Sequence, residues 1–227
     1  MTYDLFLGDR MYSSWSLRGW LCCAAFGLPV RPHFVGLYTG TMAADLAPLA
    51  PARLVPVLRT PDGTVIGESL AIAETLAERH PDAGLWPSDP GNRATARWLC
   101  AEMVAGFSTL RGDCPMQFQR IYRGTPVSGA LRADLDRIET LWSHARAVSG
   151  ADTGWLFGVY SLADVFYTPV AARIIGYDLP VSPGARAYCE ALLATDPVRD
   201  WRREAARIAY DPEPYPRDLP SDPWPIA

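Results

Sequence analysis

No apolar run in this 227-residue chain approaches the roughly 20 residues that a membrane-spanning helix requires. A membrane-spanning helix is therefore not expected. No block of like charge is present either: the formal net charge is −4, all 21 basic residues are arginine with no lysine, and they are scattered. Nucleic acid is therefore not an expected partner. The five cysteines form no CxxC and no Cys/His spacing of the kind that holds zinc, so no metal is expected. Cys22 and Cys23 are neighbours whose side chains diverge on a helix, while Cys100, Cys114 and Cys189 stand alone. All five read as free thiols buried as small hydrophobes. The opening MTYDLFLGDRMY is too polar for a secretory leader, which points to the cytoplasm. Internal repeats are absent. What the chain does have is apolar material, 49% of its residues, enough for one large core or two small ones.

The pattern changes character along the chain. YDLFL (3–7) suits a buried strand, and the stretch after Ser13 and Ser14 carries Leu17, Leu21, Cys22 and Ala25 at helical spacing before stopping at Gly27. RPHFVGL (31–37) reads as a second strand. VPVLRTPDGTVIGE (55–68) reads as a hairpin turning at Asp62-Gly63, and SLAIAETLAERH (69–80) as a helix with Ser69 at its N-cap. A small mixed sheet with helices is thus expected over residues 1–80. Residues 81–92, rich in Pro, Gly and Asp, read as a linker. From 93 to 227 only helical patterns follow, over 93–121, 127–149, 161–176, 183–195 and 196–209, then a proline-rich tail too broken for helix or strand. The fold class expected is a small α/β domain joined to an all-α domain.

Four local signals bear on function. In MYSSWSLRGWLCC (11–23), two serines stand at the mouth of a helix where one cap would serve. Val55-Pro56 enters a strand, where proline fits poorly inside a ladder; it is either a trans proline at a strand start or a cis bond that leaves the Val55 backbone free for an extended ligand. Glu68-Ser69 opens a helix and could meet the ammonium and carboxylate of one α-amino acid, or be a surface acid and a cap. Ser161-Leu-Ala-Asp164 is a capping box with a structural role.

The order of SSWSLR, LVPVL, ESLAIAE and LFGVYSLADVFYTPV resembles the glutathione transferase family over nearly the whole chain. The resemblance is to serine-type members, zeta- or tau-like, in a bacterial branch of unassigned substrate. It implies a thioredoxin-like N-terminal domain, a helical C-terminal domain, glutathione as co-substrate and commonly a homodimer. Carried over by position, Arg18 matches the arginine of the first helix. Ser13 then matches the serine that stabilises the thiolate, with Ser14 close behind, and Ser14 or Ser16 left to serve the helix. Val55 matches the residue that pairs with the cysteinyl backbone and Pro56 its cis partner. Glu68 and Ser69 match the pair on the γ-glutamyl end. Leu54 stands where relatives often carry Lys or Gln, and Arg53 is the available substitute.

Tyr12 and Trp15 are expected to wall the second-substrate pocket. A long helix over 102–118 would add Met103, Phe107, Arg111 and Cys114 on one face, or else a core stripe in which Arg111 pairs with Asp113 or another carboxylate. The function expected is addition of the glutathione thiolate to a small hydrophobic electrophile. The alternatives are an isomerase of the maleylacetoacetate type or a non-catalytic interaction module on the same fold. Two departures count against the isomerase: Trp15 replaces the zeta-class cysteine, and Gly176 stands where that class carries an arginine.

Overall fold

The computed structural model describes residues 2–152 and 154–225. Strand β1 (Tyr3–Leu7) buries Tyr3, Leu5 and Leu7 and leaves Asp4 and Phe6 half-covered, the period of two that its sequence carries. Helix α1 (Ser14–Ala24) follows, then β2 (Val30–Phe34), the short α2 (Met42–Leu46), and a hairpin of β3 (Val57–Arg59) and β4 (Val65–Gly67) leading into α3 (Ser69–Arg79). The sheet order is β2-β1-β3-β4. β1 runs parallel to β2, with Tyr3 opposite Val30, and antiparallel to β3, with Leu5 opposite Leu58. The parallel pair needs the α1 crossover; the antiparallel pair needs only a turn.

Two close approaches fix where α1 begins. A Cβ at Gly19 would lie 2.6 Å from Pro56 Cβ, so only glycine lets the helix press against the cis Val55–Pro56 bond. On the opposite flank, Arg18 Nε donates to the Phe166 carbonyl at 3.0 Å and ties α1 to the helical region.

That region comprises α4 (Pro90–Ala105), α5 (Ser108–Asp113), α6 (Gly129–Ser149), α7 (Leu162–Gly176), α8 (Pro183–Leu193) and α9 (Asp196–Ala205). Helix α7 is its axis, buried at every residue but Ile175. Asp164 closes the start of α7 by accepting from its own cap residue, Ser161 N, at 2.9 Å. It also accepts from Tyr188 Oη at 2.8 Å and Leu156 N at 3.2 Å, so its part is structural. Among the described residues, no helix is long and apolar enough to cross a membrane.

Two expectations fail. The helix over 93–121 is broken: Gly106 is extended, Phe107 takes a left-handed φ of 58°, and α5 starts afresh. Arg111 Nη1 donates to the Val104 and Gly106 carbonyls at 3.2 and 3.3 Å, satisfying acceptors at the end of α4 that a continued helix would have used. The tail, expected to form no strand, contains β6 (Ser221–Pro223), antiparallel to β5 (Arg120–Tyr122), with Ile121 opposite Asp222. The pairing depends on contact between segments about a hundred residues apart, which no local pattern encodes.

Candidate active site

A cleft of about 1340 Å³ lies between the sheet and the helices. One half is walled by the start of α1, the loop through Arg53–Pro56, and Gly67–Ser69 at the start of α3. The other half is walled by α5 and the turn after it, by Arg173 of α7, and by Tyr215–Arg217 of the tail.

Both serines line the cleft, but their hydroxyls are engaged differently. Ser13 is the N-cap of α1: its Oγ accepts from Ser16 N at 3.2 Å and donates to Ser16 Oγ at 2.8 Å. Ser16 Oγ in turn accepts from Gly8 N at 2.8 Å, so the Ser13 proton is engaged inside the helix start. Ser14, one residue further round the helix, lines the cleft and makes no side-chain hydrogen bond among the described residues.

Val55 and Pro56 line the cleft, and the bond between them is cis. No main-chain hydrogen bond outside strands or helices involves Val55 among the described residues. At α3 the cap expected at Ser69 belongs instead to Glu68, held at φ 64°, with Ser69 the first helical residue. Ser69 is buried, and its Oγ finds no partner among the described residues. A buried hydroxyl without a partner at the mouth of a helix is costly unless a ligand completes it. Arg53 and Leu54 are both exposed on the cleft rim, Leu54 at 65%.

Tyr12 and Trp15 line the cleft as expected. The Tyr12 hydroxyl donates to Gln119 Oε1 at 3.2 Å, and burial pushes its pKa up to about 12, which keeps it neutral. Met103, Phe107 and Cys114 are not in the cleft: the break at Gly106–Phe107 ends the shared face, and all three sink into the core. Arg111 does reach the cleft, but it bonds neither Asp113 nor another carboxylate; it rests on the carbonyls noted above, its guanidinium 5.0 Å from the Trp15 ring centre. Among the described residues, no three His, Cys, Asp or Glu side chains gather as metal ligands would.

Residues that the sequence did not single out complete the site: Arg173, Tyr215 and Arg217. Arg173 carried a signal, being one of only two charged residues, with Asp164, in the otherwise apolar run of α7. It is 5% exposed, and its Nε and Nη1 donate to the Cys114 and Pro169 carbonyls at 2.9 and 3.1 Å. Burial, then Arg111, lowers its pKa to about 10. Arg18 behind Trp15 is lowered to about 9 by burial, then by Arg173 and Arg111. Both stay protonated at neutral pH.

Comparison with known proteins fits this geometry. Residues 12–79 match the family model described as glutathione S-transferase, N-terminal domain. By sequence, this stretch is similar to the N-terminal domain of glutathione S-transferases. It is 41% identical to rat maleylacetoacetate isomerase over 136 residues, 60% of each chain. It is 37% identical to a probable maleylacetoacetate isomerase of Caenorhabditis elegans over 101 residues, 44% of this chain and 46% of that one. The chain thus matches about half the length of these two relatives. A Burkholderia glutathione transferase homolog solved with bound glutathione shares the fold at TM-score 0.67, with 23% identity over 92% of this chain and 100% of its own. A Methylococcus capsulatus glutathione transferase does so at TM-score 0.65, with 22% identity over 91% of this chain and 100% of its own.

Proposed function

We propose that this chain binds glutathione and turns its thiolate on a small electrophilic substrate. Residues 1–80 supply the tripeptide half of the cleft, 93–227 the substrate half, and 81–92 the link. One observation carries the reading: two helix starts open into a single cleft, and among the described residues Ser14 on α1 makes no side-chain hydrogen bond and the buried Ser69 Oγ on α3 has no partner.

The γ-glutamyl carboxylate suits Ser69 and the first N–H groups of α3, and its ammonium suits Glu68. The cysteinyl main chain pairs with Val55 beside cis Pro56, and Arg53 offers the cationic contact that Leu54 cannot. A tripeptide laid this way brings its sulfur to the first turn of α1. A thiol with an ordinary pKa near 8.5 is mostly protonated at neutral pH, and the thiolate is the nucleophile. Ser14 donates its O–H to the sulfur anion, and the N-terminus of α1 adds a favourable field. The thiol proton leaves to solvent and the sulfur pair forms the S–C bond. The displaced pair goes to a leaving group, or into a conjugated acceptor that then takes a proton. Ser13 supports the same chemistry only by holding the helix start.

A second reading has its own support in the printed names of the rat and nematode relatives. The S–C adduct re-expels glutathione after rotation about the former double bond, so the tripeptide is a catalyst rather than a reactant. Counting free thiol during turnover of a panel of conjugated electrophiles separates the two: transfer consumes glutathione one for one, isomerisation leaves it constant. If calorimetry shows no heat with millimolar glutathione, the interaction-module alternative stands and the enzyme reading falls. The same proposal includes a homodimer, which light scattering tests.

A further inference from the structure

The substrate half of the cleft is charged in one sense only. Arg111, Arg173 and Arg217 line it, and among the described residues the one carboxylate on the cleft wall, Glu68, belongs to the tripeptide half. Several arginines elsewhere face acids: Arg97 meets Glu74, Arg137 meets Glu102 and Arg186 meets Asp178. None of the three in the cleft has a carboxylate oxygen within 4.0 Å among the described residues.

Their held geometry adds to the contrast. Arg111 rests on two carbonyls at the end of α4, and Arg173 on those of Cys114 and Pro169. Arg217 Nη2 donates to the Gly112 and Asp113 carbonyls at 3.3 and 2.8 Å. Carbonyls orient a guanidinium without neutralising it, and each fork keeps further N–H donors. Arg18, buried behind Trp15, has no partner for its Nη2 among the described residues and adds to the positive field. Cations gathered without counter-ions are costly, and an anionic ligand would offset the cost.

Arg217 comes from the tail, which is fixed rather than draped. Strand β6 pairs with β5, Trp224 N donates to the Gln119 carbonyl at 2.9 Å, and the Trp224 indole fills the space that Gly176 leaves; a Cβ there would lie 2.8 Å from it. On the sheet side, Tyr38 Oη donates to Tyr215 Oη at 3.0 Å. The segment Tyr215–Arg217 is thereby strapped across the cleft from Tyr38 to Gly112.

We propose that Arg217, carried by this strap, completes with Arg111 and Arg173 an anion subsite, so that the electrophile is a carboxylate-bearing molecule rather than a purely apolar one. The inference rests on the glutathione reading above. The test uses two product-like probes, S-hexylglutathione and S-(5-carboxypentyl)glutathione, in calorimetric titrations alongside glutathione itself. The carboxylated probe should bind about tenfold tighter than the neutral one, as one charge-assisted contact would give. Arg217→Gln and Arg111→Gln should each erode that preference to about twofold or less while leaving glutathione affinity in place. Equal affinity of the two probes, with glutathione still bound, would refute the subsite and spare the glutathione reading. Absence of glutathione binding would end both. If the arginine variants instead shift the thiol titration and leave the probe preference intact, the cations serve the sulfur and the subsite is refuted.

Discussion

Replacing Ser13 and Ser14 by alanine, one at a time, should split stability from chemistry. Ser13→Ala removes the hydroxyl that accepts from Ser16 N and donates to Ser16 Oγ. Loss of such a cap costs about 0.5–2 kcal/mol. For a chain of this size, each kcal/mol lowers Tm by roughly 2–4 °C. Ser14→Ala breaks no side-chain hydrogen bond among the described residues, so its stability change should stay within about 0.5 kcal/mol. Its effect should fall on bound glutathione. A charge-assisted hydrogen bond of about 1.5–3 kcal/mol corresponds to a thiol pKa shift of roughly one to two units. The assay is ultraviolet thiolate absorbance of the binary complex against pH, with thermal melts on the same samples. The titration should move up in Ser14→Ala and stay near wild type in Ser13→Ala, with the melts ordered the other way. A titration that moves in Ser13→Ala and not in Ser14→Ala would refute the assignment of the donor.

Three further outcomes can be checked. Ser69→Ala removes a buried hydroxyl with no partner among the described residues; it should weaken glutathione binding by about tenfold in calorimetry and leave Tm unchanged or slightly raised. Gly176→Ala drives a Cβ to within 2.8 Å of the Trp224 indole and should cost about 1–3 kcal/mol, read by melting, with protease nicking of the displaced tail. Asp4 accepts from His33 and Arg59, at 2.8 and 2.9 Å, and these contacts hold its carboxyl below its ordinary pKa. Its stabilising contribution is therefore complete above the unfolded carboxylate pKa and drains away as the pH falls below about 4, so Asp4→Asn should flatten the acid limb of the stability curve.

Much of the framework was written in local pattern. The alternation of YDLFL set β1, the apolar runs either side of Asp62-Gly63 set the β3–β4 hairpin, and the capping box of Ser161 and Asp164 marked the start of α7. Such signals survive because each depends on neighbours a few residues away. The motif order placed Val55, Pro56, Glu68 and Ser69 on one cleft before any coordinates did.

What only the tertiary structure decided lies where distant segments meet. The composition of 93–121 favours helix throughout, yet the chain breaks at Gly106–Phe107 and takes Met103, Phe107 and Cys114 into the core. Which serine is taken up by the helix cap turns on about 100° of helix rotation, set by Gly19 pressed on Pro56 and Arg18 anchored to Phe166. The tail's strand exists because β5, about a hundred residues earlier, offers an edge, and Arg217 enters the cleft only because that pairing and Trp224 hold the strap down. Sequence spacing encodes contacts within a turn or a hairpin; it carries no record of which remote surfaces will close on one another.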